Sequence, residues 1–178
     1  IIKMPEVRDT FLDAVVSYVN QFLIYNLSSV RLGIYGYVEV PTRSKWLLKV
    51  LKLIIITLIF WPLSKIRFVR KGLQWLDFNY LQKSTVLEYK KIVKEYSPDV
   101  IFSANIMEDT EAALLKAARM CNVPTISMPK SWDNPSKRYF RARADMVAAW
   151  SPFMRDQMMK LQDYKKDQIH SDRNDHSQ

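Results

Sequence analysis

The runs Val100-Ile-Phe-Ser103, Pro124-Thr-Ile-Ser-Met128 and Asp145-Met-Val-Ala-Ala-Trp150 decide the fold of this chain. Each is short, apolar and rich in β-branched or aromatic residues, which favour strands over helices. Pro98-Asp99 ends the helical pattern that precedes the first run. The three runs therefore predict three buried strands.

Helical patterns alternate with these strands. Glu111–Cys121 is rich in Ala and Leu, Asp109 or Thr110 can cap it, and Asn122 is a good C-terminal stop. The dipeptide Ser151-Pro152 opens another helix, with the serine as N-cap. Such alternation predicts an α/β fold with a Rossmann-like parallel sheet and right-handed crossovers.

Two amphipathic helices, over Glu6–Asn26 and Ser84–Tyr96, are predicted before the sheet from apolar residues at helical spacing. The stretch after Tyr164 is polar and lacks apolar periodicity. We therefore expect a basic helical segment over residues 1–80, a Rossmann-like core over 81–163 and a polar flexible tail over 164–178.

The composition excludes several classes of protein. With 178 residues, 48% of them apolar and 25% charged, the chain is long and apolar enough for a globular core. Its 3 glycines form neither a Gly-x-Gly-x-x-Gly loop nor a Walker loop. Cys121 is the only cysteine, and both histidines lie in the predicted tail, so we expect no bound metal.

Positive charge is concentrated in one region. The net charge is +9, and Pro41–Lys71 holds eight Lys/Arg and no acidic residue around the apolar run Leu53–Leu63. Three interpretations stay open for that run: a buried core helix, an interfacial helix on anionic lipid, or a short membrane span. We expect no nucleic-acid partner, because no recognition motif accompanies the charge. The residues predicted to face a membrane are Lys49, Lys52, Trp61, Arg67 and Arg70.

Ligands of open parallel sheets bind beyond the carboxyl ends of the strands. Three loops are expected to meet there, in chain order Ser103–Thr110, Pro129–Arg138 and Trp150–Pro152. The loop Pro129–Arg138 is the richest in chemistry. Asp133 is its candidate general base for an acceptor hydroxyl, or an Asx-turn residue that organises the loop. The candidate substrate-binding residues are Lys130, Ser131, Trp132, Asn134, Lys137 and Arg138, with Asn105 and Asp109 from the first loop.

Each of these residues also has a structural interpretation. Trp132 either stacks on a sugar or covers a sheet edge. Lys130, Lys137 and Arg138 either hold a phosphate or form a solvated cationic rim. Helix capping alone explains Asp109.

Several motifs together carry a resemblance to a known family. They are Ser97–Ser103, Asp109 with its Ala-rich helix, Val123-Pro-Thr-Ile126, Ser131-Trp-Asp-Asn134 and Ala149–Met154. In this combination the chain resembles the N-terminal, acceptor-side half of GT-B-type glycosyltransferases of bacterial surface and capsular polysaccharide synthesis. These are relatives of the CDP-glycerol glycerophosphotransferases and UDP-N-acetylglucosamine 2-epimerases. The glycine that often follows the Ser-Trp-Asp-Asn motif is absent here.

The resemblance implies an acceptor-binding half of a glycosyltransferase, with Asp133 as its catalytic residue. The partner would be a sugar or lipid-linked glycan acceptor. The donor, a nucleotide sugar, would occupy a second domain that nothing after Leu161 can form, so this chain would bind no cofactor itself. We therefore expect a fragment, or a subunit that pairs with a separate donor-domain subunit, in the cytoplasm and peripheral to the inner membrane. The alternatives are a non-catalytic peripheral membrane-binding protein and half of a CDP-glycerol glycerophosphotransferase.

Overall fold

The computed structural model describes residues 5–7, 10–24, 54–55, 58–59 and 61–171. Within these ranges, the helices before the sheet are α1 (Phe11–Phe22), α2 (Arg67–Tyr80) and α3 (Lys83–Tyr96), and residues 61–65 are helical as well. The alternating part then runs β1 (Ile101–Ser103), α4 (Asp109–Met120), β2 (Thr125–Ser127), α5 (Asn134–Lys137), β3 (Met146–Ala149), α6 (Pro152–Leu161), a 3-10 turn (Lys166–Gln168) and β4 (Ile169–Ser171).

The sheet is fully parallel, with strand order β1-β2-β3-β4. Each strand is added on the same side of the last, so right-handed crossovers place the connecting helices on one face. The predicted α/β fold, a Rossmann-like parallel sheet with extra N-terminal helices, is confirmed.

The predicted cap of α6 and the predicted end of α4 are confirmed, whereas α1 begins at Phe11 rather than at Glu6. The Ser151 hydroxyl accepts a hydrogen bond from the backbone N–H of Met154 at 3.2 Å and so caps α6. Asn122, which follows α4, has a φ of 56°, the left-handed conformation that asparagine tolerates at helix ends. At α1, Thr10 and Asp13 form a reciprocal capping box.

The main core lies between the sheet and the helices α4 and α6. Alternate strand residues point into it, as the period of two in a strand requires. Its buried members include Ile106, Leu115, Phe140, Val147, Met154, Met158, Tyr164 and Ile169.

The opposite face of the sheet is exposed. Phe102 pairs with Ile126, and Ile126 pairs with Met146, so the three side chains form a row across β1, β2 and β3. Their exposed fractions are 56%, 38% and 38% respectively. Parallel sheets are usually covered on both faces, so this row is an unusual apolar surface among the described residues.

The predicted flexible tail is wrong for residues 164–171. Tyr164 is buried in the core, and Ile169–Ser171 forms the fourth strand, paired in parallel with β3. No sequence pattern predicted this strand, because Ile169 is the only one of its three residues that is apolar and buried. Residues 172–178 lie outside the described residues.

The basic apolar region is described only in part. Residues 61–65 are helical, and α2 follows after Ile66. Five described apolar residues of this run are exposed, which disagrees with a core helix, and Leu63 is half-buried. The exposed residues are Ile54, Ile55, Leu58, Ile59 and Trp61. None of the helices within the described ranges has the length and apolar character to cross a bilayer.

Candidate functional site

Three loops meet at the carboxyl edge of the sheet, as expected from the strand directions. The backbone N–H of Met128, after β2, donates to the carbonyl of Ser103 at 3.0 Å, and Ile106 N–H donates back to Met128 at 3.4 Å. The indole N–H of Trp150, after β3, donates to the Pro129 carbonyl at 2.7 Å. The loops that follow β1, β2 and β3 therefore form one continuous surface.

Asp133 lies in the second loop, directly before α5. Its carboxylate accepts a hydrogen bond from the Ser131 hydroxyl and pairs with the Lys137 ammonium at 2.8 Å. Burial raises the pKa of Asp133, but the bonds from Lys137 and Ser131 outweigh it and leave the pKa below its usual value. The group is therefore ionised at neutral pH, as a base must be, but these donors lower its basicity.

The loop around Asp133 is held by its own neighbours. Asn134 is 6% exposed, and its side-chain oxygen, with the amide oriented to suit the network, accepts from the backbone N–H groups of Lys130 at 3.1 Å and Ser131 at 3.3 Å. The Ser136 hydroxyl donates to the Asp133 carbonyl at 2.8 Å. Asn134 thus shapes the loop from a buried position, and the half-buried Ser131 holds Asp133.

Two tryptophans present rings to solvent at this edge. Trp132 is 65% exposed and Trp150 is 61% exposed. Trp150 is anchored to the Trp132 loop through Pro129. Lys130 is exposed beside them. This is the part of the site that can contact a ligand.

The first loop is closed by local bonds. The Asn105 amide donates to the Glu108 carboxylate at 3.1 Å, and its oxygen accepts from Met107 N–H at 3.3 Å. Asp109 begins α4 without capping it through a side-chain bond, because the N-cap is Glu108. Arg138 reaches Asp109 at 3.7 Å and so connects the second loop to the first.

The residues predicted to face a membrane have different surroundings. Lys49 and Lys52 lie outside the described residues. Trp61 is 49% exposed, with the Lys65 ammonium 4.3 Å from its ring centroid. Arg67 is exposed, but its Nε donates to Asp163 at 2.8 Å.

Arg70 does not have the predicted exposure. Its side chain is only 12% exposed and binds Asp163 at 3.0 Å and the Ser64 carbonyl at 2.7 Å. Asp163 also accepts from the Tyr139 hydroxyl at 3.2 Å. The arginine faces inward because this buried carboxylate needs a counter-ion.

A buried ion cluster, which we define as Asp13, Asp77, Gln82, Lys116 and Arg141, was not predicted from the sequence. Lys116 binds Asp77 directly and the Gln82 side-chain oxygen at 3.1 Å. Arg141 binds Asp77 at 2.9 Å and Asp13 at 3.4 Å. Each member is 2% exposed or less.

The surroundings within the buried ion cluster shift the pKa values of two of its members. Burial lowers the pKa of the Lys116 ammonium, and the Asp77 carboxylate opposes that effect only in part. Burial raises the pKa of Asp13, but hydrogen bonds from Thr10 and Gln82 leave it below the usual value. The only sequence signal was a lysine inside an Ala-rich buried helix face, between Leu115 and Ala117.

Within the described residues, no group of three or more His, Cys, Asp or Glu side chains is placed to hold a metal ion.

Comparisons of this chain with family models, with curated proteins and with solved structures found no match.

Proposed function

We propose that this chain is the acceptor-binding half of a glycosyltransferase of bacterial surface polysaccharide synthesis, completed by a domain that binds the nucleotide sugar. The observation that carries the proposal is the meeting of three loops at the carboxyl edge of a parallel sheet, with Trp132 and Trp150 exposed on it. This edge is where open α/β sheets bind ligands. The Ser131-Trp-Asp-Asn134 motif that resembles the family lies within it.

The chemistry of the edge suits an uncharged polyol. The exposed indole rings offer flat apolar faces, and sugar rings present apolar C–H groups to such faces. Lys130 adds an exposed donor beside Trp132. Asp133 has its two oxygens engaged by Ser131 and Lys137. We therefore assign it first to holding the loop in place, and proton removal from an acceptor hydroxyl is its second role.

The binding test uses the whole chain and uncharged oligosaccharides of bacterial surface composition, measured by saturation-transfer NMR and titration calorimetry. We expect saturable binding that Trp132→Ala weakens about tenfold, the factor to which about 1.4 kcal/mol corresponds. Tyr96→Ala is the control, since Tyr96 is an aromatic residue that is 58% exposed at the end of α3. Absence of saturable binding, or equal weakening by both variants, would refute the acceptor site.

The same assay addresses the related alternative. Half of a CDP-glycerol glycerophosphotransferase would take a poly(glycerol phosphate) acceptor in place of a glycan. Binding of that polymer in preference to uncharged oligosaccharides would assign the chain to this alternative. Trp132→Ala is expected to weaken it as well, because the site is the same.

A second candidate function, peripheral membrane binding, is favoured by one observation. The described apolar side chains of residues 54–61 are between 49% and 69% exposed, and Phe68 is 83% exposed, beside Lys65 and Lys71. Exposed apolar groups with a basic surround bind anionic interfaces. Co-sedimentation with phosphatidylglycerol vesicles should fall with added salt and with Leu58→Ser/Phe68→Ser. The control, Phe153→Ser, should leave it unchanged.

A further inference from the structure

A cavity of about 500 Å³ lies at the opposite edge of the sheet from the three loops. Its walls are α2 and the segments that precede β3 and β4, residues 141–143 and 163–168. Its volume falls within the range of small-molecule binding sites. The proposed acceptor site makes no use of it.

The lining of this cavity is strongly cationic. Among the described residues, its only lining carboxylate is Asp163, which Arg67, Arg70 and Tyr139 already engage. The cationic lining residues are Arg67, Lys71, Arg119, Arg141, Arg143 and Lys165. The cavity therefore carries an excess of positive charge.

Four of these cations have no counter-ion in the described part of the chain. Arg67 pairs with Asp163, and Arg141 pairs with members of the buried ion cluster. The other four form no ion pair with a described carboxylate: Lys71, Arg119, Arg143 and Lys165. Like charges that line one cavity repel each other, so an anionic ligand would be attracted to it and would offset that repulsion.

Two of the arginines are held in place before any ligand arrives. Arg143 donates to the carbonyls of Gln162 at 2.9 Å and Asp163 at 3.1 Å, and its guanidinium lies 4.0 Å from the ring centroid of Tyr164. The Arg119 guanidinium lies 5.2 Å from the centroid of Phe78. Pre-ordered side chains lose less entropy on binding. Both terminal nitrogens of Arg143 already donate to carbonyl oxygens, so Arg143 contributes its positive charge, whereas the Arg119 guanidinium can match phosphate oxygens in a bidentate manner.

We propose that this cavity binds a small organic molecule through two adjacent phosphate groups. Four unpaired cations exceed what one phosphate needs, and the volume exceeds what inorganic phosphate fills. The remaining wall, which includes Trp75, Phe78 and the amides Gln74 and Asn79, receives the organic portion. The cavity is separate from the proposed acceptor site, and the two are tested with different ligands, diphosphates and uncharged sugars respectively.

The test is titration calorimetry of the whole chain with inorganic pyrophosphate, adenosine diphosphate and geranyl diphosphate. The variant Lys71→Gln/Arg119→Gln removes two cations of the cavity. The matched control, Lys91→Gln/Lys94→Gln, removes two exposed charges on α3. Far-UV circular dichroism establishes that both variants are folded.

We expect at least one organic diphosphate to bind more tightly than pyrophosphate, tenfold or more weaker binding in the cavity variant, and a change within twofold in the control. Preference for adenosine diphosphate identifies a nucleotide as the source of the phosphates, and preference for geranyl diphosphate identifies an isoprenoid lipid. Equal affinity for all three probes would overturn the organic portion. Binding weaker than about 1 mM for all of them, or equal loss in both variants, would overturn the site.

Discussion

Removal of the buried Lys116 ammonium is the sharpest test of how this chain is held together. In the buried ion cluster two carboxylates, Asp13 and Asp77, face two cations, Lys116 and Arg141, and Arg141 also lies 3.2 Å from the half-buried Asp109. Lys116→Met keeps a side chain of similar length but leaves one negative charge in excess. Breaking a buried pair in this way costs about 3–5 kcal/mol.

That loss is large against the total stability of a domain, which is about 5–15 kcal/mol. For a chain of this size it corresponds to a melting temperature lower by about 6–20 °C. Urea unfolding followed by far-UV circular dichroism measures the free energy directly. Lys91→Met, at an exposed position of α3, is the control and should change stability by less than about 0.5 kcal/mol.

A double variant distinguishes charge imbalance from lost packing. Asp77→Asn/Lys116→Met leaves Arg141 opposite Asp13, so the charges in the cluster balance again. We expect the double variant to lose less unfolding free energy than the two single variants lose together, by about 0.5–3 kcal/mol. Strictly additive losses, or a Lys116→Met cost below about 1 kcal/mol, would refute the reasoning.

Three further predictions concern other contacts. Burial, reinforced by the Asp163 charge, raises the pKa of Tyr139 from 10.0 to about 12. The stability that the neutral Tyr139 hydroxyl contributes is therefore complete below pH 10 and is lost as the pH rises to 12. Over that range the unfolding free energy of the unsubstituted chain, measured in urea, should fall by about 2 kcal/mol relative to that of Tyr139→Phe. Parallel pH profiles of the two proteins would contradict this. Ser151→Ala, which removes the cap of α6, should cost about 1 kcal/mol in the same assay, and Ser151→Gly only a few tenths; equal costs would exclude a capping role. Asp145 accepts from Thr125 N–H at 2.9 Å and its hydroxyl at 2.7 Å. Asp145→Ala should therefore cost about 1–3 kcal/mol, whereas Asp145→Asn, which keeps an acceptor, should cost less.

The strands and the helices between them were predictable because their signals are local. Each of β1, β2 and β3 is an apolar run, and the cap of α6 is a Ser-Pro dipeptide. The fourth strand was not predictable, since β4 takes its conformation from pairing with β3 and has only Ile169 as an apolar residue. Helix α2 lies within residues 1–80, which were expected to be helical, but its bounds were not predicted.

In the candidate site, too, local features were predictable from the sequence and contacts between distant residues were not. The carboxyl ends of parallel strands share an edge, so the three loops were expected to meet before any contact was known. The partners of Asp133, Ser131 and Lys137, lie within four residues of it. The inward orientation of Arg70 depends on Asp163, 93 residues away, and no sequence pattern indicates such a contact.

The buried ion cluster also constrains how this fold can diverge. A single substitution at position 13, 77, 116 or 141 produces an intermediate with an uncompensated charge in its interior, which selection removes. Positions 13 and 141 are 128 residues apart, yet they are expected to change together with the other two or not at all. A distant relative whose overall identity has faded would still carry either this set of two carboxylates and two cations or an apolar set that replaces all four charged members.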